Sequence, residues 1–439
     1  MKHLVIVADG MADHPVERLG GKTLLQFADV PNMDALACNG RTGRLVTIPD
    51  GFSPGSDVAN SVILGYDQEK VYEGRGPLEA ASIGYEMRPG DLALRVSLIS
   101  VDERGRIVNH HGGHVTTQES FQLIDCLNAE LADERLHFHT GSQYRHLLVI
   151  KGGNKHIECA LPHDSINKDW HGLLVRPKEG YEHSGDDCYF DSLGVKHKRL
   201  SPKETSDILN DLILKSQGLL GKHKVNINRR SCGLPPANLI WPWGGGYRPS
   251  MLTLSEKYPE VRSGAVVSAD NLIRGIGQYA GLKVVDVDGA TGFADTNYEG
   301  KAKAAIDALR TDDFVFLHIE ASDEAGHDGD LQLKLKTIED IDLRVMGTIC
   351  SELSDWKEPV CIALLPDHPT PVELRTHVDE PVPFLVYYPG IKPDSVSCYD
   401  EQSCMSGSYG LLRLQEFMEE IMKILDSRKA GEPVFITIV

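Results

Sequence analysis

Seven residues of types that can bind divalent metal ions lie in clusters toward the two ends of the 439-residue chain. They comprise three carboxylates, three imidazoles and one hydroxyl: Asp9, Ser56, Asp323, His327, Asp367, His368 and His377. Imidazole together with carboxylate favours Zn, Mn, Co or Fe over Ca, which prefers a shell made only of oxygen. The set suits two divalent ions that share a reactive serine, and we therefore predict a two-metal site.

Three of these clusters follow short apolar runs, which are typical of buried strands. Asp9 ends the run LVIVADG, Asp323 follows FVFLHIEAS, and Asp367 with His368 follows CIALLP. Their side chains would then crowd the carboxyl ends of the strands, where open α/β sheets bind ligands. The four-residue spacing of Asp323 and His327 lets both side chains reach one ion from a single helical turn. Any one of these residues alone would be an ordinary surface group, so the prediction rests on the whole set.

The elements that must position these residues are strands that alternate with helices. Residues 1–8 form a continuous apolar run, and after Pro249 strand-like and helical segments alternate. This pattern predicts an α/β fold with a mostly parallel sheet flanked by helices. The middle of the chain mixes short strands such as VNINRR with polar stretches and one clear helix, QESFQLIDCLNAELAD, which indicates an inserted α+β domain. Because the two ligand groups must meet, we predict a discontinuous metal-binding domain, 1–97 with 246–439, interrupted by an inserted substrate-binding or lid domain, 98–245.

The composition narrows the class of partner. The net charge of −19 argues against nucleic acid or an anionic membrane surface as a partner. No stretch approaches the length of a membrane span, and the sequence starts with a strand-like run where a targeting leader would stand. The nine Cys are scattered without CxxC pairs, which suits reduced thiols. We expect a cytoplasmic protein that acts on a small molecule, and the sequence leaves the oligomeric state open.

Ser56 is the candidate nucleophile. A serine hydroxyl needs a base or a metal ion to lose its proton at neutral pH. Ser56 is not at the centre of a GxSxG elbow, since the one match to that pattern, residues 51–55, is centred on Ser53; activation of Ser56 by a metal ion is therefore favoured over a Ser-His-Asp triad. Ser56 also opens a predicted helix, DVANSVILGY, and a helix N-terminus stabilises phosphate through its free N–H groups and its dipole. The alternative role for Ser56 is that of a simple N-cap residue.

Eight longer motifs follow one another along the chain: VADGMAD, SPGSDVANSVILGYD, YEGRGPLEAASIG, YRHLLV, PHD, ANLIWPWGGG, GATGFADTNYEGKA and HIEASDEAGHDGD. On these motifs the chain resembles the cofactor-independent phosphoglycerate mutases, archaeal-type branch, of the alkaline phosphatase superfamily. The resemblance extends over essentially the whole chain. It implies an alkaline phosphatase-like fold and the interconversion of 3-phosphoglycerate and 2-phosphoglycerate, in glycolysis and gluconeogenesis, through a phosphoserine at two metal ions. Manganese is the expected metal, with magnesium, cobalt and zinc as alternatives.

The resemblance also assigns roles to the candidate residues, and makes the discontinuous domain the phosphotransfer domain. It aligns Ser56 with the serine that is phosphorylated during turnover. The ligands would be Asp9, Asp367 and His368 for the ion that binds Ser56, and Asp323, His327 and His377 for the ion that faces the substrate. After Ser56 the chain has Asp-Val-Ala-Asn, where the bacterial branch has Glu-Val-Gly-His. Acid-base roles therefore do not transfer, and the group that protonates the departing glycerate oxygen stays open.

Recognition of phosphate needs fixed cations, and Arg is favoured because its fork matches phosphate oxygens. The leading candidates are Arg145 in YRHLLV and Arg248 in GGGYRP. His163 and Asp164, in LPHDS, form a polar pair on a loop that the resemblance places toward the cleft. All four lie in or next to the segment predicted as the inserted domain.

For each of three further cationic residues the sequence allows two interpretations. Lys257 in SEKYPEV matches a substrate lysine of the bacterial branch, and Lys301 in DTNYEGKA belongs to the archaeal-type pattern. Each is either a substrate-binding residue or a solvated helix residue. Arg75 in EGRGPLEA stands in a Gly-rich setting that favours a structural turn over substrate binding.

Two rival functions stay open at this point. One is a related metal-dependent phosphotransferase or phosphatase that acts on another small metabolite, such as a homoserine kinase-like activity, because metal ligands serve the phosphoryl group and not its carrier. The other is a non-catalytic metal-binding protein. A serine hydroxyl beside a full set of ligands counts against a non-catalytic metal-binding protein, since a structural metal site needs no open coordination position.

Overall fold

The apolar run at the start of the chain forms the strand Lys2–Ala8, in the middle of an eight-stranded sheet. Its two neighbours, Phe314–Ile319 and Val360–Leu365, both run parallel to it. In the computed structural model, which describes residues 1–181 and 187–424, both neighbours are buried along their whole length. Continuous apolar runs suit such strands, because helices cover both faces of a parallel sheet.

The full order of strands shows how segments distant in sequence become neighbours. From edge to edge the sheet consists of Lys283–Val285, Gly264–Val267, Phe314–Ile319, Lys2–Ala8, Val360–Leu365, Val382–Tyr387, Arg41–Val46 and Leu411–Arg413. Of these eight strands, Val382–Tyr387 alone runs antiparallel to its neighbours. The prediction of an α/β fold with a mostly parallel sheet is confirmed.

Helices pack against this sheet and complete its core. The α-helices are Leu24–Phe27, Pro31–Cys38, Ser56–Ile63, Gln68–Val71, Leu254–Lys257, Asn271–Tyr279, Tyr298–Leu309, Ala321–Asp328, Leu331–Asp340, Gly347–Ser354 and Glu416–Met422. A π-helical segment, Ile341–Met346, joins two of them, and Glu17–Leu19 and Ser403–Ser406 are 3-10 turns. Apolar residues of Tyr298–Leu309 and Leu331–Asp340 share one buried cluster with the central strands.

The middle of the chain is built around an antiparallel sheet. Its strands lie in the order Leu239–Gly246, Asp91–Val101, Arg145–Lys151 and Leu136–Ser142, and Ile107–Asn109 also pairs with Asp91–Val101. Two short hairpins pair Ile157–Glu158 with Arg176–Pro177 and Cys188–Phe190 with Lys196–Lys198. The helices are Arg75–Ser82, Thr117–Leu131, Pro202–Lys222 and Lys224–Ser231, with 3-10 turns at His163–Ser165 and Trp170–Leu173. This part of the chain is α+β, as predicted.

One strand expected in this part is a helix. The alternating apolar residues of VNINRR suggested a strand, but the segment lies in the helix Lys224–Ser231. His223 caps this helix by accepting a hydrogen bond from Val225 N at its Nδ1, at 3.3 Å. The buried residues are Val225, Asn226 and Arg229, a helical spacing that propensity alone does not reveal.

The boundaries between the two units of the structure differ from the domain boundaries predicted from the sequence. Contacts define a first unit, Met1–Tyr72 with the described residues from Ser250 onward, and a second unit, Glu73–Pro249. The sequence-based boundary at 97/98 would cut the strand Asp91–Val101, which pairs with two strands of the second unit. Residues 73–97 therefore group with the second unit.

Among the helices of residues 1–181 and 187–424, none is long and apolar enough to cross a membrane.

Candidate metal centre

The predicted metal ligands meet at one edge of the sheet in the first unit. Asp9 directly follows the strand Lys2–Ala8, and Asp367 and His368 follow Val360–Leu365. Asp323 lies in the first turn of the helix Ala321–Asp328, which follows the strand Phe314–Ile319. Because these three strands are adjacent and parallel, their carboxyl ends bring the four residues together.

The first ligand group consists of Asp9, Asp367 and His368, all buried, whose ligand atoms lie within 4.8 Å of one another. His368 Nε2 is 3.7 Å from Asp9 Oδ1 and 3.5 Å from Asp367 Oδ2. Gly10 N donates a hydrogen bond to Asp367 Oδ1 at 3.1 Å. Gly10 has a φ of +60°, and a Cβ there would collide with Asp323, so the turn after the first strand needs glycine.

The second ligand group overlaps the first at His368. Asp323, His368 and His377 also lie within 4.8 Å of one another. His327 Nε2 is 3.2 Å from Asp323 Oδ2 and 2.8 Å from His377 Nε2. The structure thus brings all six predicted imidazole and carboxylate ligands together, and His368 stands between the two groups.

The protonation of the ligands follows from their burial and mutual charge. Burial, together with the charges of Asp367 and Asp323, raises the pKa of Asp9 well above its ordinary range. Burial also opposes ionisation of Asp323, but hydrogen bonds from His327 and His377 outweigh it and hold the pKa of Asp323 well below its usual value. The bond to Asp323 raises the pKa of His327 to about 9. A divalent cation would displace these protons, so metal binding at this site should weaken as the pH falls.

The residues fit divalent metal ions. Asp9 Oδ1 is buried and accepts no hydrogen bond from residues 1–181 or 187–424, which is costly for a carboxylate oxygen unless a cation satisfies it. The Nε2 atoms of His327 and His377 point toward each other and toward Asp323. Neutral imidazole nitrogens that converge beside a carboxylate are typical of sites for Zn, Mn, Co or Fe.

Ser56 lies at this centre. It is the first residue of the helix Ser56–Ile63, after the N-cap residue Gly55, and its Oγ is 3.3 Å from His368 Nε2. Asn60, one turn further on, is fully buried and donates from Nδ2 to Ser56 O at 2.9 Å and to Asp367 Oδ2 at 2.8 Å. Asn60 thereby links the turn that carries Ser56 to a metal ligand. Asn60 is the last residue of the Asp-Val-Ala-Asn segment after Ser56, but the sequence did not indicate its role. That role depends on the hydrogen bond to Asp367, which lies 307 residues further along the chain.

Sequence reasoning missed several polar residues behind the ligands. Ser322 Oγ donates to Asp9 O at 2.6 Å, and Thr370 Oγ1 donates to Asp323 and lies 3.3 Å from His368 Nδ1. The ammonium of Lys334 is fully buried and donates at 2.8 Å to both Asp13 Oδ2 and Thr370 O. Ser322 and Thr370 stand within two residues of a ligand in the sequence, which was the available signal, whereas Lys334 stands apart from the ligands.

The two candidate lysines lie in different surroundings. Lys301 is fully buried and forms an ion pair with Glu320, so the alternative of a solvated helix residue is wrong for it. Lys257 is partly buried at the end of the helix Leu254–Lys257. Its Nζ lies 5.8 Å from the ring centre of Tyr66 and 5.5 Å from that of Tyr258, within range of a cation–π interaction.

Cationic residues of the second unit gather near the start of the strand Arg145–Lys151. Arg95 is buried, and burial together with the charges of Arg145 and Arg75 lowers its pKa to about 10 although Glu79 opposes this. His163 lies 3.9 Å from Asp164. The ring of His163 is 6.0 Å from that of Trp243, and Trp243 also lies beneath the Arg95 guanidinium at 5.0 Å. The structure therefore places Arg145, His163 and Arg75 in one polar region.

Arg248 lies elsewhere in the second unit. It is exposed and lines a cavity of about 1050 Å³ whose wall also includes Lys151, Tyr85 and His139. Arg145 and Lys151 begin and end one strand, a distance of about 20 Å at 3.3 Å per residue. Arg145 and Arg248 thus stand near opposite ends of that strand, and the structure does not bring them together.

Comparisons with known proteins identify the family of the chain. A family model described as 2,3-bisphosphoglycerate-independent phosphoglycerate mutase matches residues 37–226. Relatives of that name from Methanosarcina barkeri and Methanothermobacter thermautotrophicus are 44% and 45% identical; each alignment covers 96% of this chain, and 100% and 97% of the relative. A solved Pyrococcus horikoshii structure is 29% identical with a TM-score of 0.77, covering 98% of this chain and 99% of that one. The cofactor-independent phosphoglycerate mutase of Thermoplasma acidophilum is 27% identical with a TM-score of 0.65, covering 96% and 99%. The chain therefore belongs to the family of 2,3-bisphosphoglycerate-independent phosphoglycerate mutases.

Proposed function

We propose that this chain interconverts 3-phosphoglycerate and 2-phosphoglycerate through a phosphoserine at Ser56, with two divalent ions, manganese being expected. The observation that carries the proposal is the position of Ser56 Oγ, 3.3 Å from the nitrogen of His368, which belongs to both ligand groups. The names of the relatives favour this reaction over a phosphatase, a homoserine kinase-like activity or a non-catalytic metal site. The reaction belongs to glycolysis and gluconeogenesis, in the cytoplasm.

The proposal follows the two ligand sets that the resemblance implies, so His368 serves the first ion only and His327 joins the second set. Asp9, Asp367 and His368 would hold the ion beside Ser56, and Asp323, His327 and His377 the ion that faces the substrate. Bound divalent ions would help the serine hydroxyl lose its proton and would neutralise the oxygens of the phosphoryl group. Ser56 Oγ attacks phosphorus and the bond between phosphorus and the glycerate oxygen breaks, so that the proton lost by the serine is balanced by one taken up by the departing glycerate. The place of Ser56 at the start of the helix stabilises the resulting phosphoserine.

Glycerate has to stay bound between the two half-reactions, because its other hydroxyl must take the phosphoryl group back. In the proposal, Arg145 of the second unit binds the substrate's anionic groups, and His163 and Asp164 are further polar contacts to the substrate. Exclusion of water at this stage would slow the hydrolysis of phosphoserine. Lys257 and Arg248 stay candidates for substrate contact.

Mutation of Ser56 tests the proposal. Ser56→Ala should fold and still bind Mn²⁺ but lose 3-phosphoglycerate turnover by several orders of magnitude, because no phosphoenzyme can form. The matched control is Ser61→Ala in the same helix, since Ser61 Oγ donates only to Asp57 O, at 2.8 Å. Mass spectrometry of trapped enzyme should find one phosphate on Ser56 in wild type and none in Ser56→Ala.

The other reactions of the superfamily are assayed beside the mutase reaction. Mutase activity retained in Ser56→Ala would remove this serine from the mechanism. Ready hydrolysis of an aryl phosphate, or phosphorylation of homoserine, with no turnover of 3-phosphoglycerate would refute the assignment of substrate. A stoichiometry below two Mn²⁺ per chain would refute the two-ion arrangement.

A further inference from the structure

A series of buried polar contacts leads from the helix Tyr298–Leu309 to Asp9. Lys301 on this helix has no exposed surface, and its ammonium donates to the Glu320 carboxylate and, at 3.2 Å, to Thr291 O. Burying an ammonium is costly unless a carboxylate and other acceptors surround it. The Lys301 side chain is therefore fully engaged inside the first unit.

Glu320 is held from several sides. Its Oε1 accepts hydrogen bonds from Ser268 Oγ at 2.8 Å, from Ala269 N at 2.8 Å and from Asp270 N at 2.9 Å. Its Oε2 faces Lys301. A carboxylate with this many donors has one orientation, and it stays charged, because Lys301 and His318 hold its pKa far below the ordinary range although burial opposes this.

His318 connects Glu320 to Asp9. It lies in the strand Phe314–Ile319, has no exposed surface, and has Nδ1 3.5 Å from Glu320 Oε1 and Nε2 3.4 Å from Asp9 Oδ2. Its Nε2 makes no hydrogen bond to the residues that the structure describes. The oxygen of Asp9 that faces His318 is Oδ2, whereas Oδ1 is the one near His368. At 3.4 Å the contact between His318 Nε2 and Asp9 Oδ2 is an ion-pair distance, and a proton on Nε2 would attract Oδ2 and leave Oδ1 for the ligand group.

We propose that Lys301, Glu320 and His318 are positioning residues for the metal ligand Asp9, and that Lys301 makes no contact with the substrate. Residues that orient a ligand from behind are commonly worth 10- to 100-fold in metal affinity. The inference rests on the proposed function, because it takes Asp9 to be a metal ligand. It replaces the sequence-based alternatives for Lys301, a substrate lysine or a solvated residue, with a third role.

The test measures Mn²⁺ affinity of metal-free protein by calorimetric titration with MnCl₂ alone, so it does not depend on turnover. His318→Ala should weaken one of the two Mn²⁺ sites by about 10- to 100-fold. His318→Gln, whose amide can donate from near the position of Nε2, should recover most of that loss. The double variant Lys301→Met/Glu320→Gln removes both charges and avoids a single unpaired one, and it should weaken the same site about 10-fold or more.

Lys283→Met is the matched control, because it also removes a lysine from an ion pair with a carboxylate, that of Asp312. The Lys283 side chain is mostly exposed and stands at the amino end of its strand. Circular dichroism checks the fold of each variant. At saturating Mn²⁺ the KM of the double variant for 3-phosphoglycerate should stay within about twofold of wild type, since Lys301 makes no substrate contact.

The outcomes separate this inference from the proposed function. If wild type binds two Mn²⁺ and turns over 3-phosphoglycerate, but His318→Ala and the double variant bind Mn²⁺ like Lys283→Met, the positioning role is refuted and the proposed function stands. A large rise in KM with unchanged Mn²⁺ affinity would return Lys301 to substrate binding. Wild type that binds no Mn²⁺ overturns both.

Discussion

Replacing Asn60 with Ala should separate the turn that carries the nucleophile from a metal ligand. Asn60 is fully buried, and its Nδ2 bridges Asp367 Oδ2, at 2.8 Å, and Ser56 O, at 2.9 Å. Loss of the amide leaves the Asp367 carboxylate with Gly10 N and the N–H of His368 as its remaining donors. Asp367 would then turn more freely, and the ligand group would be less well prepared for an ion.

The size of the effect follows from the two hydrogen bonds. A hydrogen bond to a charged group is worth about 1.5–3 kcal/mol, and one to a neutral carbonyl about 1 kcal/mol. The bond to Asp367 is the one that bears on metal binding, and each 1.4 kcal/mol is tenfold in affinity. We expect Asn60→Ala to weaken one Mn²⁺ site by about 10- to 100-fold, and to lower turnover further because Ser56 is less well placed.

Calorimetric titration of metal-free protein with Mn²⁺ measures the first effect, and turnover of 3-phosphoglycerate at saturating Mn²⁺ measures the second. Ser61→Ala, the neighbouring residue in the same helix, is the control, because its hydroxyl donates to a backbone carbonyl and not to a ligand. Asn60→Ala that binds Mn²⁺ as tightly as Ser61→Ala, and turns over at the same rate, would refute the reasoning.

Three further substitutions test charges elsewhere in the chain. Burial raises the pKa of Glu401 from its ordinary 4.5 to about 7. The neutral carboxyl therefore contributes to the free energy of unfolding below about pH 4.5, and this contribution is lost as the pH rises through 7. Glu401→Gln should remove this pH dependence, so urea unfolding should show the variant gaining up to about 3 kcal/mol of stability over wild type between pH 4.5 and 8. Lys334→Met leaves the Asp13 carboxylate buried without its cation and should cost about 3–5 kcal/mol of stability, part of which Lys334→Met/Asp13→Asn restores in thermal unfolding. Arg145→Ala should cost about 2–3 kcal/mol in kcat/KM for 3-phosphoglycerate while sparing slow hydrolysis of an aryl phosphate, and a parallel fall of both rates would make Arg145 a structural residue.

The metal ligands could be predicted from the sequence because strand ends are visible in it. Asp9 and Asp367 each follow an apolar run, and a parallel sheet brings such ends to one edge. The same rule could not show which ligands share an ion. His368 stands between the two groups because the loop that carries His377 folds back beside it, with ring centres 3.9 Å apart. A loop of this kind leaves no periodic pattern in a sequence.

The residues behind the ligands were harder to find for a related reason. His318 stands in the run FVFLHIE, which has the composition of a buried strand, and the strand was predicted correctly. Its partners are set by three-dimensional neighbours, since Lys301 is on the preceding helix and Asp9 on an adjacent strand. A single polar residue within an apolar run near a strand's carboxyl end is a usable signal, but it identifies a candidate and not its contacts.

The charges around the centre explain how a strongly acidic chain can hold an anionic substrate. The carboxylates of Glu320 and Asp13 are neutralised from behind by the buried Lys301 and Lys334. Asp9, Asp323 and Asp367 are left to face the centre, and an imidazole ligand adds no negative charge to theirs. Two divalent ions would more than balance three carboxylates, so the centre itself would carry net positive charge toward a phosphoryl group. In the proposed two-ion arrangement, the ions would not have to compensate the charges of Glu320 and Asp13, because Lys301 and Lys334 already do so.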